Sequence, residues 1–236
     1  MQSDFIILYA MSLIASEKME KAIHILTRAM NDYPDNCQIY YYRAFAQYKI
    51  SNLPKAFEDC QKSIQLKEGF YASHLLLGLI MYERNNDRNA LSPLLYALFL
   101  SSKAEWAEKT LFIIHSLLNQ KHERIVIPIH EERFRIKNIE ELLIVYTSGY
   151  RLSEWNPIAN FFLAFIGDYI KDNLKNLNSL DHCYADFFNK LSQSPHMATY
   201  CYVIMQNLKL KEVDEWYVDH SKELSDYADW IEKNYQ

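Results

Sequence analysis

Small and large apolar positions recur with a fixed period along the first 104 residues of the chain. Residues 3–36, 37–70 and 71–104 align without a gap, so each segment is 34 residues long. Three alignment columns hold only small residues: Ala10, Ala44 and Gly78; Ala22, Ala56 and Ala90; Ala29, Ser63 and Ala97. Large apolar columns lie between them, such as Leu26 with Leu94, and Tyr9 with Leu77. The pattern predicts two helices in each segment, which approach closely where the side chains are small.

A period of about 34 residues, divided into two helical halves, is typical of the tetratricopeptide family, and residues 3–104 resemble that family. Ala10, Ala22 and Pro34 lie where the family has a small residue or a closing proline. The sequence departs from the family at the early bulky aromatic position, which holds Ile6, Tyr40 and His74. Only the first segment ends in proline. The resemblance implies an all-α fold, in which three helix pairs form a right-handed solenoid that binds other proteins.

The sequence also indicates where helices begin. We expect the first helix of each segment to run from about the second to the fourteenth position. Asn52 and Pro54 favour a helix start, because proline in the first turn gives up no hydrogen bond that it would otherwise make. Pro93 lies several residues after the expected start of its helix. That helix is therefore expected either to begin late or to have a distorted first turn.

A fourth segment starts in the same way but does not continue. Ser102 and Glu105 have the spacing of a capping box, and an apolar stripe follows them. We therefore expect the array to span residues 3–119, with a partial fourth helix at 105–119.

The rest of the chain lacks the 34-residue period. Residues 120–137 are interpreted as a connector with a short extended part near 124–136, because β-branched residues and Pro128 disfavour a helix there. Residues 138–236 are predicted to be helical and to pack on or cap the array. The last helix is expected over Val213–Asn234, with acidic residues opposite one apolar face. That face consists of Val213, Trp216, Leu224, Tyr227 and Ile231.

The composition favours helices, and the net charge argues against nucleic acid as a partner. Half of the residues are hydrophobic, and only 4 glycines and 6 prolines interrupt the chain, which favours long helices with short connections. The net charge is −5. Tracking phosphate backbones requires dense lysine and arginine, so nucleic acid is not an expected partner.

The cysteines and the apolar runs of the sequence indicate in which cellular compartment the protein is expected. The four cysteines are widely spaced and form no disulfide framework, which is typical of the cytoplasm or another reducing intracellular compartment. The apolar run Phe5–Ile14 fits the first repeat helix better than a signal peptide, because no basic residue precedes it. Ile158–Ile170 is too short to span a bilayer. No membrane span is predicted.

Two groups of residues invite a reading as chemical sites, and both are weak. His130-Glu131-Glu132 resembles a zinc-protease motif, but Phe134 replaces the second histidine and Pro128 breaks the helix that the motif needs. His182, Cys183, His196 and Cys201 lack the usual spacing of metal ligands on one helical face. Ordinary buried thiols explain them better. We predict no catalytic residue, no metal site and no cofactor.

The resemblance places a partner-binding groove along the first helices of the three segments. Nine large apolar residues map to its wall: Ile7, Met11, Ile14, Tyr41, Phe45, Tyr48, Leu75, Leu79 and Tyr82. A patch of this size is not left in water. Either the chain's own second half covers it, or a partner's apolar helix or extended segment does.

Family members that act as chaperone adaptors clamp the carboxylate end of a client peptide with charged and amide side chains. The matching positions here hold Ile7, Met11, Tyr42, Ala72 and Leu76, none of which carries a charge or an amide. A peptide with a dicarboxylate chaperone tail is therefore not an expected partner.

These observations predict a non-catalytic protein-interaction module, which acts as an adaptor or as a subunit of a larger assembly. One alternative is a secretion-type chaperone for hydrophobic clients, a class that is usually shorter than this chain. Another is an effector or enzyme with its site in 120–236, in which the array serves as the targeting module.

Overall fold

The computed structural model describes residues 2–84, 87–101, 106–107, 110–111, 113–114, 181–206 and 211–235. The chain divides into two compact units, Met1–Leu100 and Ser101–Gln236, and each is described here by itself. The described residues are helical apart from turns and caps and contain no strand. The predicted connector at 120–137 and most of the predicted fourth helix at 105–119 lie outside the described residues.

The first unit consists of six helices arranged as three consecutive pairs. They are α1 (Gln2–Ala15), α2 (Met19–Asp32), α3 (Cys37–Lys49), α4 (Leu53–Leu66), α5 (Tyr71–Glu83) and α6 (Asp87–Leu100). The second helices of the pairs begin at Met19, Leu53 and Asp87, and so are 34 residues apart. The predicted repeat is thereby confirmed as tetratricopeptide-like helix pairs.

Small residues allow the two helices of each pair to approach closely, as the sequence predicts. Ala10, Ala44, Ala22, Ala56 and Ala90 are all fully buried. Gly78 lies so close to α6 that a Cβ placed on it would be 2.5 Å from Leu94 Cγ and 3.2 Å from the carbonyl oxygen of Ala90. In the third pair, the small columns of Gly78 and Ala90 therefore meet where α5 and α6 approach closely.

The connection within each of the first two pairs has the same backbone geometry. Glu17 and Ser51 occupy equivalent positions and adopt positive φ angles of 57° and 59°. The next residue closes the turn in both cases, because Lys18 N donates to Leu13 O and Asn52 N donates to Gln47 O, each at 2.9 Å. This left-handed residue after a helix is the usual way to end one helix and reverse the chain.

Pro93 lies inside α6, and the first of the two expectations for this helix, a late start, is wrong. The helix begins at Asp87 and continues through Pro93 to Leu100. The apolar residues around the proline, Leu91, Leu94, Leu95 and Leu98, are at most 4% exposed. Their burial stabilises the helix enough to offset the hydrogen bond that proline cannot make.

The described part of the second unit includes α7 (Asp181–Gln193), α8 (Met197–Met205), α9 (Lys211–Asp219) and α10 (Ser221–Tyr235). Its largest buried side chains are aromatic: Tyr184, Phe187, Phe188 and Tyr200. The Phe187 ring lies at the centre of this cluster, with ring centroids 4.9 Å from Phe188 and 5.8 Å from Tyr200.

The helix predicted over Val213–Asn234 is two helices, α9 and α10, separated at His220. The backbone N–H of His220 donates to the Trp216 carbonyl at 3.0 Å, and ring Nδ1 lies 2.9 Å from the same oxygen. The imidazole also stacks on the Trp216 ring at 4.5 Å.

The division of faces in this segment is confirmed. Val213, Trp216 and Tyr227 are buried, and Leu224 and Ile231 are half-buried. The acidic residues are exposed: Asp214, Glu215, Asp219, Glu223, Asp226, Asp229 and Glu232. Burying the apolar stripe therefore stabilises the two helices, while the acidic side chains stay in water.

Candidate functional site: the wall formed by α1, α3 and α5

The nine predicted groove residues lie on the first helices of the three pairs, at the fifth, ninth and twelfth positions of each segment. Met11 is exposed at 39%, whereas Ile7 and Tyr48 are buried at 5% and 9%. The other six are half-buried: Ile14, Tyr41, Phe45, Leu75, Leu79 and Tyr82. The accessible part of the predicted groove therefore consists of seven of the nine side chains.

Ile7 belongs to the core of the first pair. It forms one cluster with Ala10, Leu26, Ala29 and Ile39, which joins α1, α2 and α3. A side chain packed in this way contributes to the stability of the array, and it is not available to a partner in this conformation.

An aromatic cluster surrounds Tyr41 in the second segment. Its ring centroid lies 5.0 Å from Tyr42, 5.3 Å from Phe70 and 6.4 Å from Phe45. Phe70 in turn lies 6.5 Å from Tyr71. Such pairs add stability beyond the area that they bury, and the cluster forms a partly exposed apolar surface. The groove prediction included Tyr41 and Phe45 but not Tyr42, Phe70 or Tyr71.

Burial sets the ionisation of the tyrosines in this wall. It raises the pKa of the Tyr41 hydroxyl above its ordinary value, and the neighbouring Tyr42 adds to the effect. Burial also raises the pKa of Tyr48, as does its hydrogen bond to Glu83. Both hydroxyls are therefore neutral at physiological pH, and both rings present uncharged surface.

Two charged residues contact aromatic side chains of the wall, and the groove prediction did not include them. Lys49 Nζ lies 5.8 Å from the centroid of the Phe45 ring, within the range of a cation–π interaction. The Tyr48 hydroxyl donates a hydrogen bond to Glu83 Oε1 and thereby joins α3 to α5. Lys49 and Glu83 both occupy the thirteenth position of their segments. Their spacing of four residues from Phe45 and Leu79 places them on the same helical faces.

The five positions that match the carboxylate clamp are also partly taken up by packing. Leu76 is 2% exposed and Ile7 is 5% exposed. Met11 is exposed, and Tyr42 and Ala72 are half-buried. The side chains at these positions offer methyl groups and one phenol where a clamp requires cations and amides.

The described residues give little support to a metal or thiol site. They contain no group of three or more side chains able to hold a metal ion. None of the four cysteines forms a disulfide, and Cys60 and Cys201 are buried. Burial raises the pKa of the Cys201 thiol, and the His196 ring packs against Tyr227 and Trp230 at 5.9 and 5.7 Å. The motif at His130 lies outside the described residues.

None of the described helices combines the length and the apolar character that crossing a bilayer requires.

Comparison with known proteins gives similarity in fold. No family model matches the chain, and no curated protein is detectably similar to it. Among solved structures, the TPR2B domain of yeast Sti1 in complex with pHsp70 is 18% identical, with a TM-score of 0.48, over 51% of this chain and 99% of that one. The Arabidopsis OM64 TPR domain is 20% identical, with a TM-score of 0.47, over 51% and 96%.

A longer match is to YrrB, a TPR protein with an unusual peptide-binding site, which is 12% identical, with a TM-score of 0.45, over 94% of this chain and 90% of that one. The helix pairs themselves carry the assignment in this chain. Three pairs with second helices 34 residues apart, in contact along columns of small residues, make residues 2–100 a tetratricopeptide-like array.

Proposed function

We propose that the array is a non-catalytic protein-interaction module, through which the chain acts as an adaptor or as a subunit of a larger assembly. The observation that carries the proposal is the half-exposed aromatic cluster around Tyr41, which includes Phe45. The exposed Met11 occupies the position of Phe45 in the preceding segment. Rigid aromatic side chains are the residues that most often dominate the energy of protein interfaces. The proposed partner contributes an apolar helix or an extended segment.

The charges beside the cluster suggest how a partner is oriented. Lys49 and Glu83 carry opposite charges at equivalent positions of successive segments. A partner segment with an acidic residue near Lys49 and a basic residue near Glu83 would bind in one direction along the wall. Charges at the edge of an interface contribute to orientation and specificity more than to affinity.

The test is affinity capture from the native source followed by mass spectrometry, with the wild-type chain and the double variant Phe45→Glu, Leu79→Glu as bait. Both side chains are half-buried on the wall, and a partner that covered them would bury two uncompensated carboxylates. We expect the double variant to lose the captured partner. Ile50→Glu is the matched control, because Ile50 is 41% exposed in the same array and outside the nine residues.

The melting temperature distinguishes the two ways of covering the wall. If a partner covers it, the double variant melts close to the wild type. If the chain's own second half covers it, the double variant melts far lower. In that case Met11→Glu tests the proposal without the risk of unfolding the chain, because Met11 is the exposed member of the nine predicted groove residues. A stable variant that captures the same partners as the wild type contradicts the proposal.

The same wall predicts which peptides do not bind. A peptide with the dicarboxylate tail of the large chaperones would place its carboxylates against Ile7, Met11 and Leu76, where no donor replaces their water. Leaving a buried charge unpaired costs several kcal/mol, on the order of 3–5. We expect calorimetry to show no difference between such a peptide and a scrambled control. Sequence-dependent micromolar binding would show that the mapping of the wall is wrong.

A further inference from the structure

The first helix of the array exposes a second apolar surface, separate from the wall. Phe5, Leu8 and Tyr9 are 70%, 60% and 56% exposed, and Ser12 next to them is also exposed. Their spacing of three, four and seven residues places them along one face of α1. We call these four residues the α1 stripe.

The equivalent positions of the next two segments are covered. On α3 they are Ile39, Tyr42, Arg43 and Ala46, and on α5 they are Ser73, Leu76, Leu77 and Ile80. Ile39, Ala46, Leu77, Ser73 and Ile80 are fully buried. Tyr42 packs against a core cluster, and the Arg43 side chain is only 18% exposed. The same face of the first helix is therefore an interior surface in two segments and a water-exposed surface in one.

The helix that covers this face on α3 is α2, the second helix of the preceding pair. Ile39 shares a cluster with Leu26 and Ala29, and Met30 and Tyr33 pack against that cluster. Ala46 packs in the same way with Ala22. Arg43 Nη1 of this face also donates to Thr27 Oγ1 of α2 at 3.1 Å. A helix with small and apolar residues thus completes the face on α3.

We propose that the α1 stripe binds an amphipathic α-helix of a partner protein, in the position that α2 takes on α3. The partner helix would carry small and apolar residues at a spacing of three, four and seven residues. It would carry no charge on that face, because Phe5, Leu8, Tyr9 and Ser12 offer no ion to pair with one. This surface is distinct from the wall of α1, α3 and α5, so the inference does not depend on the proposed function of that wall.

The width of the stripe favours a single helix over a second copy of this chain. From their exposed fractions, Phe5, Leu8 and Tyr9 together offer roughly 350 Å² of accessible side-chain surface, taking aromatic side chains at about 200 Å² each. A stable interface buries about 800 Å² on each partner. A stripe one helix wide falls well short of a dimer interface of that size, but it matches the face that one helix presents.

The experiment uses a fluorescein-labelled synthetic peptide of residues 17–36, which contains α2, titrated with the full chain and followed by fluorescence anisotropy. This peptide is the probe because α2 covers the equivalent positions of α3. We expect saturable binding with a gain of helical circular dichroism, since an isolated helix of about 12–15 residues is marginal in water. Leu8→Glu should lower the affinity at least about tenfold, because the carboxylate would be buried without a partner.

Three comparisons make the result decisive. Ile50→Glu and Phe45→Glu should bind the peptide as the wild type does, because both positions lie off the stripe. The Leu8→Glu chain should keep the helical signal of the wild type, since Leu8 is 60% exposed. Absent saturable binding, or equal affinity of the wild type and Leu8→Glu, overturns the proposal. A larger loss of affinity with Phe45→Glu than with Leu8→Glu would place the peptide in the wall. If the wild-type chain sediments as a dimer and Leu8→Glu dissociates that dimer, the occupant is a second copy of the chain. Either result also overturns the proposal.

Discussion

Arg43 of α3 and Asp59 of α4 form a two-point ion pair inside the array. Arg43 Nε donates to Asp59 Oδ2 at 2.7 Å, and Nη2 donates to Oδ1 at 2.6 Å. Gln47 Nε2 donates to the same Oδ2 at 3.1 Å, and the Arg43 Nη1 bond to Thr27 reaches the preceding pair. Asp59 is 5% exposed. This network occupies the second segment at columns where the third has Leu77 and Met81, so it distinguishes the middle pair from its neighbours.

Replacing Arg43 alone should destabilise the array strongly. The variant Arg43→Leu leaves the Asp59 carboxylate buried without its cation, and breaking one side of a buried pair costs about 3–5 kcal/mol. Arg43→Leu together with Asp59→Leu should recover most of the loss, because no charge is then left unpaired. Denaturant unfolding followed by circular dichroism measures the free energy of unfolding of each variant.

The control for this prediction is the pair Lys190–Asp186 on α7, which is 2.7 Å long and has side chains 41% and 53% exposed. Asp186→Asn should change the free energy of unfolding by less than about 1 kcal/mol, as is usual for exposed pairs. A loss for Arg43→Leu no larger than the loss for Asp186→Asn would show that the interior pair contributes little.

Gly78 should not tolerate even one added methyl group. The added Cβ would lie 2.5 Å from Cγ of Leu94, whose side chain is fully buried, and 3.2 Å from the backbone carbonyl oxygen of Ala90. Neither can move freely, so Gly78→Ala is expected to destabilise the chain by about 1–3 kcal/mol, the usual cost of overpacking. Gly69→Ala is the matched control, because nothing lies within 4 Å of its added Cβ. Equal thermal stability of the two variants would contradict the close approach of α5 and α6.

The small columns were predictable from the sequence because their cause is local and periodic. Ala22, Ala56 and Ala90 recur at one spacing, and close contact between helices at that spacing has few alternatives. The exposure of Tyr9 was not predictable in this way. It shares a column with Leu77, which is fully buried, yet it is 56% exposed. Burial at that column depends on a neighbouring pair, and the pattern within one segment does not contain that information.

The sequence predicted that the nine proposed groove residues lie on the first helices of the pairs, but it did not predict how exposed each of them is. Ile7, Met11 and Ile14 have the same pattern in sequence as the equivalent residues of the other segments. Only the packing of α2 and α3 shows that Ile7 is in the core while Met11 is exposed. The break at His220 was also not predicted, because the apolar periodicity continues across it.

The turns between paired helices give a prediction of increased stability. Glu17 and Ser51 are held at positive φ, a conformation that costs a residue with a Cβ roughly 1–2 kcal/mol and costs glycine little. Glycine is also more flexible when unfolded, so Glu17→Gly or Ser51→Gly should stabilise the chain by about 0.5–1 kcal/mol. The two substitutions are distant in the fold, and their effects should add.

Lys67→Gly is the control for these two substitutions. Lys67 ends α4 with a φ of −151°, which is extended backbone and not the left-handed conformation. Lys67→Gly should lower the melting temperature, because glycine there relieves no strain and only adds disorder to the unfolded chain. If all three glycine variants shifted the melting temperature in the same direction, the strain at Glu17 and Ser51 would not be the cause.

His74 should make the stability of the array depend on pH. Its ring is fully buried, lies 4.9 Å from the Tyr96 ring, and donates from Nε2 to the Glu68 carbonyl at 2.6 Å. Burial lowers the pKa of His74 from 6.5 to about 4, although the bond to Glu68 opposes this shift. The unfolded chain therefore binds a proton below about pH 6.5, whereas the folded chain does not until the pH approaches 4. The free energy of unfolding therefore decreases as the pH is lowered from about 6.5 to about 4.

The measurement is the free energy of unfolding of the wild type and of His74→Phe at several pH values between 7 and 4. Each unit of pKa shift corresponds to about 1.4 kcal/mol, so His74 should cost the wild type about 2 kcal/mol between pH 7 and pH 5. His74→Phe keeps an aromatic ring at the position but has no group to titrate, so its loss over the same range should be smaller by that amount. Other groups titrate in both proteins and cancel in the difference. Parallel curves for the two proteins would mean that His74 takes up its proton as readily in the folded chain as in the unfolded chain, which its burial against Tyr96 and Glu68 should prevent.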